Sequence, residues 1–231
     1  MSSELTKRIF TSIILLIFTF SILIYANTDY FLYFVIFVSA FCFGEWILTN
    51  SLLLKKFNKN LIKYFSIYLF GFIYFLFILP LSAFYLRDEV SLNFFLLIII
   101  ICIFSDVGGY VFGKLFKWKK LTKISPKKTM SGVLGSFIFS LGSVFLLGIF
   151  VHLYTELDIE IIKQPRYYFL AIFFSLAAQL GDLSVSYLKR KEKIKDTGKI
   201  LPGHGGIFDR IDGLMFVAIL AYIIYTFKLF P

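Results

Sequence analysis

The sequence predicts an all-α integral membrane protein with about seven transmembrane helices. Hydrophobic residues make up 59% of the 231 positions, charged residues only 16%, and phenylalanine alone occurs 31 times. This composition is typical of chains embedded in a membrane and argues against a soluble domain. A membrane-spanning helix needs roughly 20 apolar residues. The predicted spans are residues 9–26, 30–48, 64–86, 92–113, 133–154, 167–188 and 213–230.

The spans suggest a division of the chain into two parts. Residues 1–90 contain three spans that are distinguished only by their hydropathy. Residues 91–231 contain four spans, two basic loops and the polar residues that a catalytic site would need. We therefore predict three N-terminal transmembrane helices and a C-terminal catalytic transmembrane domain whose cytoplasmic loops are residues 114–132 and 189–212.

The first span and the two cysteines have simple structural interpretations. Lys7 and Arg8 precede the first span as they would in a signal peptide, but Ile24 does not suit a cleavage site. An uncleaved helix is therefore expected. Cys42 and Cys102 fall inside predicted spans and are interpreted as small core residues, so the sequence indicates neither a disulfide nor a thiolate metal site.

Basic residues are concentrated on one side of the predicted membrane. The N-terminus and the segments 49–63, 114–132 and 189–212 hold 20 of the 24 Lys and Arg residues. Because basic loops tend to stay on the cytoplasmic side, we predict a cytoplasmic N-terminus in a bacterial-type inner membrane. The polar active site is then expected at the cytoplasmic ends of the C-terminal helices. Contact with anionic lipid headgroups would produce the same asymmetry without any enzyme.

Asp106 and Asp182 lie inside predicted spans, where ionisable residues are costly and usually face protein or water. Ser186 and Lys189 follow Asp182 at i+4 and i+7, which places the three side chains on one stripe of a helix. Metal binding, an ion pair with Lys189 and local strain are the alternatives for Asp182. Glu45 lies one turn from the cytoplasmic end of its span, where it is expected simply to reach the membrane interface.

Two further carboxylates, Asp209 and Asp212, lie at i and i+3 at the start of a helix predicted to begin near Ile207. They are expected to meet Asp182 at a similar depth. Carboxylates that meet would repel one another unless a cation joined them, and hard oxygen ligands suit Mg²⁺, especially when phosphates complete its coordination. The lack of clustered His and Cys argues against zinc.

A glycine-rich turn separates these carboxylates along the chain. It reads Lys195-Asp196-Thr197-Gly198 and then Pro202-Gly203-His204-Gly205-Gly206. Glycines let backbone N–H groups approach an anion closely. The amides, the basic side chains and carboxylate-bound Mg²⁺ together predict a polyphosphate site.

The same region carries a longer pattern, which reads Ser186-x-Leu188-Lys189-Arg190, Lys195-Asp196-x-Gly198 and Leu201-Pro202-x-His204-Gly205-Gly206-Ile207-x-Asp209-Arg210-Ile211-Asp212. It resembles the signature of the phosphatidate cytidylyltransferase family. Upstream, Ser105-Asp106-Val107-Gly108-Gly109-Tyr110 and Ser125-Pro126-Lys127-Lys128-Thr129 are similar to segments of that family. Val185 and Ser131 stand where members often carry Glu, so a second cation would have to be held without those carboxylates.

The resemblance implies a reaction of CTP with phosphatidic acid that gives CDP-diacylglycerol and pyrophosphate. It implies Mg²⁺ as the cofactor, membrane lipid rather than nucleic acid as the partner, and a homodimer. The residues implied as catalytic are Asp182, Lys189, Arg190, Asp209 and Asp212, and the three aspartates among them are the implied metal ligands. The residues implied in substrate binding are Asp106, Lys127, Lys128, Thr129, Ser186, Lys195, Asp196, His204, Gly205, Gly206 and Arg210.

Two other functions are considered beside this one. A CTP-dependent lipid or polyprenol kinase would also need a basic, Mg²⁺-binding site at the cytoplasmic face. The sequence from Lys195 to Asp212 favours the cytidylyltransferase. An anion or phosphate-lipid transporter would carry its charges near the midplane between inverted repeats. The charges of this chain cluster instead at one face of the predicted membrane.

Overall fold

The computed structural model of the chain describes residues 3–56, 61–122, 125, 127–155, 164–198, 200–201 and 205–229. Its β-type pairings in these ranges are two isolated bridges, Lys120 with Thr129 and Leu201 with Gly205. The all-α fold class is confirmed. The α-helices of the described residues are α1 (Ser3–Tyr25), α2 (Thr28–Lys56), α3 (Leu61–Ile73), α4 (Leu79–Phe84), α5 (Leu92–Phe116), α6 (Met130–Thr155), α7 (Pro165–Glu192) and α8 (Phe208–Thr226).

Five helical stretches of the described chain are long and apolar enough to cross a membrane. They coincide with the second to the sixth predicted span and cover Thr28–Ser51, Phe65–Val90, Leu92–Phe116, Met130–Ile149 and Pro165–Glu192. Such helices suit an integral membrane protein, because a helix satisfies its own backbone hydrogen bonds in lipid. α1 contributes a shorter apolar helix, Ile13–Tyr25. The first and seventh spans therefore stay predictions.

The third span is irregular around Pro80. α3 ends at Ile73, and π-helical turns at Tyr74–Ile78 and Tyr85–Val90 flank α4, whose first turn contains Pro80. Proline has no N–H to donate to the preceding turn and its ring crowds the carbonyl four residues earlier. The neighbouring turns widen, which is a common way to absorb such an interruption in a helix.

By their internal contacts the residues form two compact units. Unit 1 comprises Met1–Leu92 and Leu188–Ile211, and unit 2 comprises Asn93–Tyr187 and Asp212–Pro231. The segment that follows α7 thus folds with the N-terminal helices. The assignment of a catalytic function to residues 91–231 stays a prediction. Each unit holds one buried cysteine without a disulfide, Cys42 and Cys102, as expected of core residues.

An aromatic cluster around Trp46 joins three parts of unit 1. The Trp46 ring lies 6.0 Å from Phe70, 5.9 Å from Phe75 and 6.2 Å from Phe208, measured between ring centroids. Edge and tilted arrangements at these distances are favourable aromatic contacts. Gly71 makes room for the cluster, because a Cβ at this position would collide with the Trp46 ring. The start of α8 is thereby fixed against α2 and the third span.

The core of unit 2 depends on the close approach of α5 and α6. Gly108 and Gly135 lie where the two helices cross, and a Cβ on either glycine would collide with the carbonyl oxygen of the other. Nearby, Ser136 Oγ donates to the Ser105 carbonyl at 2.8 Å, and the Ser105 and Ser175 hydroxyls share a hydrogen bond of 2.8 Å. Small residues allow membrane helices to approach in this way.

Candidate functional site

The segment between α7 and α8 contains the glycine-rich turn of the predicted site. Leu201 N–H donates to the Gly205 carbonyl at 2.9 Å, and Gly205 N–H donates back to the Leu201 carbonyl at 3.2 Å. Gly205 has a φ of 87°, a conformation that only glycine adopts without strain. A residue with a Cβ at this position would also contact the Asp196 and Asp209 side chains. The pairing of Leu201 with Gly205 therefore depends on glycine at position 205.

Asp209 lies in the first turn of α8 and forms hydrogen bonds with this segment. Its Oδ1 accepts a hydrogen bond from Lys189 Nζ at 2.6 Å, and its Oδ2 accepts from the backbone N–H groups of Thr197 at 2.8 Å and Gly206 at 3.2 Å. The Asp209 side chain is only 4% exposed. Its carboxylate thus connects the end of α7, the glycine-rich turn and the start of α8.

The charge of Asp209 is stabilised by these donors. Burial alone would raise the pKa of the carboxyl group, because the charged form loses its hydration. The hydrogen bond and the charge of Lys189, together with the amides of Thr197 and Gly206, outweigh burial and hold the pKa of Asp209 below its ordinary value. Asp209 is therefore ionised at neutral pH.

Glu45 on α2 is a second buried carboxylate that binds the same segment. It is 2% exposed. Its Oε1 accepts from Ile207 N–H at 3.1 Å, and its Oε2 accepts from Phe208 N–H at 2.9 Å and from the Thr197 hydroxyl at 3.0 Å. The expectation that Glu45 simply reaches the membrane interface is wrong, because its carboxylate lies inside the protein and caps α8. The sequence signals were an acidic residue inside a span and a helix start without a capping side chain of its own.

The basic residues of the signature divide into one buried and several exposed side chains. Lys189 is 13% exposed and pairs with Asp209, so the alternative that it pairs with Asp182 is wrong. The other signature residues that are exposed to solvent are Arg190, Lys195, Asp196 and Arg210. In the described part of unit 1, exposed basic side chains therefore lie near a segment that is hydrogen-bonded to both Asp209 and Glu45.

The structure describes only part of the motif His204-Gly205-Gly206. His204 lies outside the described residues, and its expected role in substrate binding stays a prediction. Gly206 is buried, and a Cβ there would overlap the Glu45 carboxylate and the Thr197 hydroxyl. Glycine at this position is needed for the close approach of Glu45.

Asp182 lies in the part of α7 that belongs to unit 2. Its Oδ2 forms an ion pair with Lys128 Nζ at 2.5 Å, and its Oδ1 accepts from the Ser186 hydroxyl at 3.3 Å. The predicted contact along the helical stripe is confirmed for Ser186. The side chains of Lys128 and Asp182 are 25% and 33% exposed, so this ion pair is less buried than the pair of Lys189 and Asp209.

The segment Lys127-Lys128-Thr129 precedes α6, and Thr129 forms an isolated antiparallel bridge with Lys120. The Lys128 carbonyl accepts from Leu121 N–H at 2.9 Å, and the next helix residue, Met130, donates its N–H to the Lys119 carbonyl at 3.0 Å. The Thr129 hydroxyl accepts from Gly132 N–H at 3.1 Å, which caps the N-terminus of α6. Lys127 is exposed, whereas Lys128 turns inward to Asp182. Sequence could not decide whether these residues follow from topology or bind substrate, and their role in substrate binding stays a prediction.

The remaining carboxylates bear on the predicted metal site. Asp106 is exposed on α5, and Asp212 on α8 accepts from Gly213 N–H at 2.8 Å. Within the described ranges, no group of three or more His, Cys, Asp or Glu residues is placed to hold a metal ion. Carboxylates are nevertheless hard oxygen ligands of the type that Mg²⁺ prefers, and Mg²⁺ commonly completes its coordination with phosphates and water. The donor chemistry fits the ion, and metal binding stays a prediction.

Comparison with known proteins adds an independent observation. Residues 47–228, from α2 to beyond the end of α8, match the family model described as the cytidylyltransferase family. The phosphatidate cytidylyltransferase of Helicobacter pylori is 41% identical over 128 residues, which cover 53% of this chain and 43% of that protein. The enzyme of the same name from Rickettsia felis is 36% identical over 149 residues, which cover 63% and 65%.

A third relative gives a similar picture. The phosphatidate cytidylyltransferase of Staphylococcus saprophyticus is 41% identical over 132 residues, which cover 57% of this chain and 48% of that protein. The chain thus spans between 43% and 65% of the length of these curated relatives. The family model, in contrast, covers far more than half of the chain. The chain belongs to the cytidylyltransferase family.

Proposed function

We propose that this protein is a phosphatidate cytidylyltransferase of phospholipid biosynthesis, which converts CTP and phosphatidic acid to CDP-diacylglycerol and pyrophosphate. The observation that carries the proposal is that Glu45 and Asp209 bind Thr197 between α7 and α8, while Arg190, Lys195 and Arg210 nearby are exposed. Exposed cations around this segment suit a polyphosphate, because basic side chains donate strong hydrogen bonds to phosphate oxygens. The activity named for the relatives supports the same conclusion.

The reaction requires little proton chemistry from the protein. An oxygen of the lipid phosphate forms a bond to the α-phosphorus of CTP, the bond from that phosphorus to the oxygen bridging to the β-phosphate breaks, and pyrophosphate leaves. The attacking group is already an anion, so a general base is unnecessary. The protein must align two anions that repel each other and offset the charge that develops on the leaving group. Arg190, Lys195 and Arg210 are the residues assigned to this task.

Mg²⁺ is the proposed cofactor, with Asp182, Asp209 and Asp212 as its carboxylate ligands. When bound, it would supply positive charge to the phosphates of CTP. The support for this assignment is the oxygen chemistry of the ligands and the family motif. Asp182 is the leading ligand, because its side chain is 33% exposed and can exchange Lys128 for a cation at little cost. Asp209 would have to share a carboxylate that already accepts three hydrogen bonds.

A transfer assay with the whole chain tests the reaction. Protein purified in detergent and supplied with phosphatidic acid, Mg²⁺ and CTP labelled in its cytosine should produce a labelled product that extracts into organic solvent. The parallel reaction uses CTP labelled in its γ-phosphate. Label that reaches the lipid only from the γ-phosphate would establish a CTP-dependent kinase instead. No labelled lipid from either nucleotide would overturn both enzyme functions.

The proposed enzyme has seven spans, a cytoplasmic N-terminus and an active site that faces the cytoplasm, and it forms a homodimer. The support for the orientation is that 20 of 24 basic residues fall on one predicted side. Cysteines introduced by Lys193→Cys and Asp158→Cys test it with a membrane-impermeant thiol reagent, and the buried native cysteines keep the background low. In intact cells only Asp158→Cys should react. Equal labelling of Lys193→Cys would reverse the orientation.

A further inference from the structure

Glu45 is the most unusual charged residue in the described part of α2. A carboxylate in a membrane helix is costly unless its charge is compensated, and Glu45 is 2% exposed. Its oxygens accept three hydrogen bonds, from the amides of Ile207 and Phe208 and from the Thr197 hydroxyl. Each donor belongs to the segment that carries the family signature. Among the described residues, this compensation comes from the glycine-rich turn and the first residue of α8.

Two of these donors are the backbone N–H groups at the start of α8. The first N–H groups of a helix have no partner within the helix, and a negative charge near them is also favoured by the helix dipole. Helices usually obtain this cap from a neighbouring residue such as Ser, Thr or Asp. α8 receives it from Glu45, which lies on a helix more than 150 positions earlier in the chain.

Thr197 shows how the two buried carboxylates act on the same residue. Its backbone N–H donates to Asp209 Oδ2 at 2.8 Å, and its hydroxyl donates to Glu45 Oε2 at 3.0 Å. Gly198 and Gly206 flank this contact, and a Cβ on either would overlap the Glu45 carboxylate. Thr197 and Ile207, at the two ends of the turn, are thus both hydrogen-bonded to Glu45 of α2.

We propose that Glu45 is a positioning residue for the nucleotide, which acts by holding Thr197 and Ile207, at the two ends of the glycine-rich turn, in place and does not contact substrate. This inference rests on the proposed function, because it assigns the turn to the phosphates of CTP. Its physical basis is preorganisation: a turn that is already ordered loses less conformational entropy when it binds an anion. Loss of Glu45 then weakens CTP binding, whereas binding of the lipid substrate is unaffected.

Glu45→Gln tests the proposal with little change in volume. Gln keeps one carbonyl acceptor, but its NH₂ group faces a backbone N–H, so at least one amide at the start of α8 loses its partner. Hydrogen bonds to a charged group are worth about 1.5–3 kcal/mol. We expect the KM for CTP to rise about tenfold, with the KM for phosphatidic acid within about twofold of its normal value. A purely structural role would lower the active fraction, and therefore kcat, with either substrate varied and would leave both KM values unchanged.

Amide hydrogen exchange measured without substrate gives a readout that does not depend on activity. Exchange in peptides that cover residues 195–210 should accelerate about tenfold in Glu45→Gln, whereas peptides from α5 and α6 should exchange as before. Unchanged exchange in residues 195–210 would overturn the proposal, as would a normal KM for CTP. Absence of transferase activity in the unmodified chain would contradict the proposed function. The exchange experiment would still test whether Glu45 orders residues 195–210.

Thr197→Val and Thr49→Val complete the experiment. Thr197→Val removes only the hydroxyl bond to Glu45 and should raise the KM for CTP about threefold, in keeping with the smaller value of a single hydroxyl donor. Thr49 lies one turn after Glu45 on α2, is 2% exposed, and its hydroxyl makes no hydrogen bond within the described residues. Thr49→Val should change neither KM nor exchange. If Glu45→Gln fails to insert, normal exchange of residues 195–210 in Thr197→Val overturns the proposal.

Discussion

Asp209 in unit 1 and Asp182 in unit 2 are both aspartates that pair with a lysine, but their surroundings differ. The Asp209 side chain is 4% exposed and accepts from Lys189 and two backbone amides. The Asp182 side chain is 33% exposed and accepts from Lys128 and, at 3.3 Å, from a serine hydroxyl. A buried carboxylate with several donors stabilises structure, whereas a partly exposed one can exchange its paired lysine for another cation at a smaller cost in free energy. Burial and the number of donors therefore make Asp182 the better candidate metal ligand of the two and Asp209 the stronger structural contact.

The largest effect on activity is expected from Asp182→Asn. The substitution keeps the shape of the side chain and removes the charge that would hold a cation, so turnover should fall at least about 100-fold. Folding should be affected less than by Asp209→Asn, because the Asp182–Lys128 pair is less buried than the Asp209–Lys189 pair. The transfer assay and the midpoint of thermal unfolding in detergent measure the two quantities. Near-normal turnover in well-folded protein would remove Asp182 from the mechanism.

A double substitution separates ligand binding from simple charge pairing at Asp182. If Asp182 serves only to neutralise Lys128, then Asp182→Asn combined with Lys128→Met should recover activity, since neither charge is left without its partner. We expect the double variant to be as inactive as the single one. Recovery of turnover to within about tenfold of normal would assign the pair a structural role.

The largest effect on stability is expected from Asp209→Asn. Removal of one partner of a buried ion pair typically costs about 3–5 kcal/mol, and Lys189 is only 13% exposed. The free energy of unfolding should fall by this amount, and Asp209→Asn with Lys189→Met should regain much of it. Equal stability of Asp209→Asn and Asp182→Asn in urea titrations would contradict the contrast between the two regions.

Glycine substitutions test the close approach of Glu45 with a matched control. Gly206→Ala would place a Cβ against the Glu45 carboxylate and Thr197, and such overpacking costs about 1–3 kcal/mol. Gly142 lies in α6 with nothing within 4 Å of its potential Cβ, so Gly142→Ala should be neutral or stabilise the helix by about 0.5–1 kcal/mol. Thermal unfolding of the two variants compares them directly. A stable Gly206→Ala with normal exchange of its turn would contradict the described packing.

The smallest effect near neutral pH concerns the titration of Asp209. Because the folded-state pKa of Asp209 is lowered, its contribution to stability is fully present above the pKa of an unfolded aspartate, about 3.9, and is lost as pH falls through the folded-state pKa. The stability difference between the unmodified chain and Asp209→Asn should therefore be constant from pH 5 to 8. It should shrink only in more acidic solution. A difference that already declines between pH 7 and 5 would contradict the lowered pKa.

Local sequence patterns determined the elements of this protein. Five predicted spans became apolar helices within a few residues of their expected bounds, because hydropathy and length alone decide which segments can satisfy their backbone in lipid. The helix predicted to begin near Ile207 starts at Phe208. The contact of Asp182 with Ser186 follows from helical periodicity, which relates residues four positions apart. The signature motif was likewise sufficient to identify the family that the family model then matched.

Only the tertiary structure decided which charges meet. Sequence made Lys189 a possible partner of Asp182, but Lys189 pairs with Asp209, and Lys128 takes its place at Asp182. Glu45 was visible in the sequence as an acidic residue inside a span, but its partners at the start of α8 were not. Helical periodicity describes neighbours within one helix, whereas contacts between distant segments depend on how helices pack and on which donors are left without partners when they do. In this chain the buried amides at the start of α8 needed an acceptor, and packing of α2 against them placed Glu45 there.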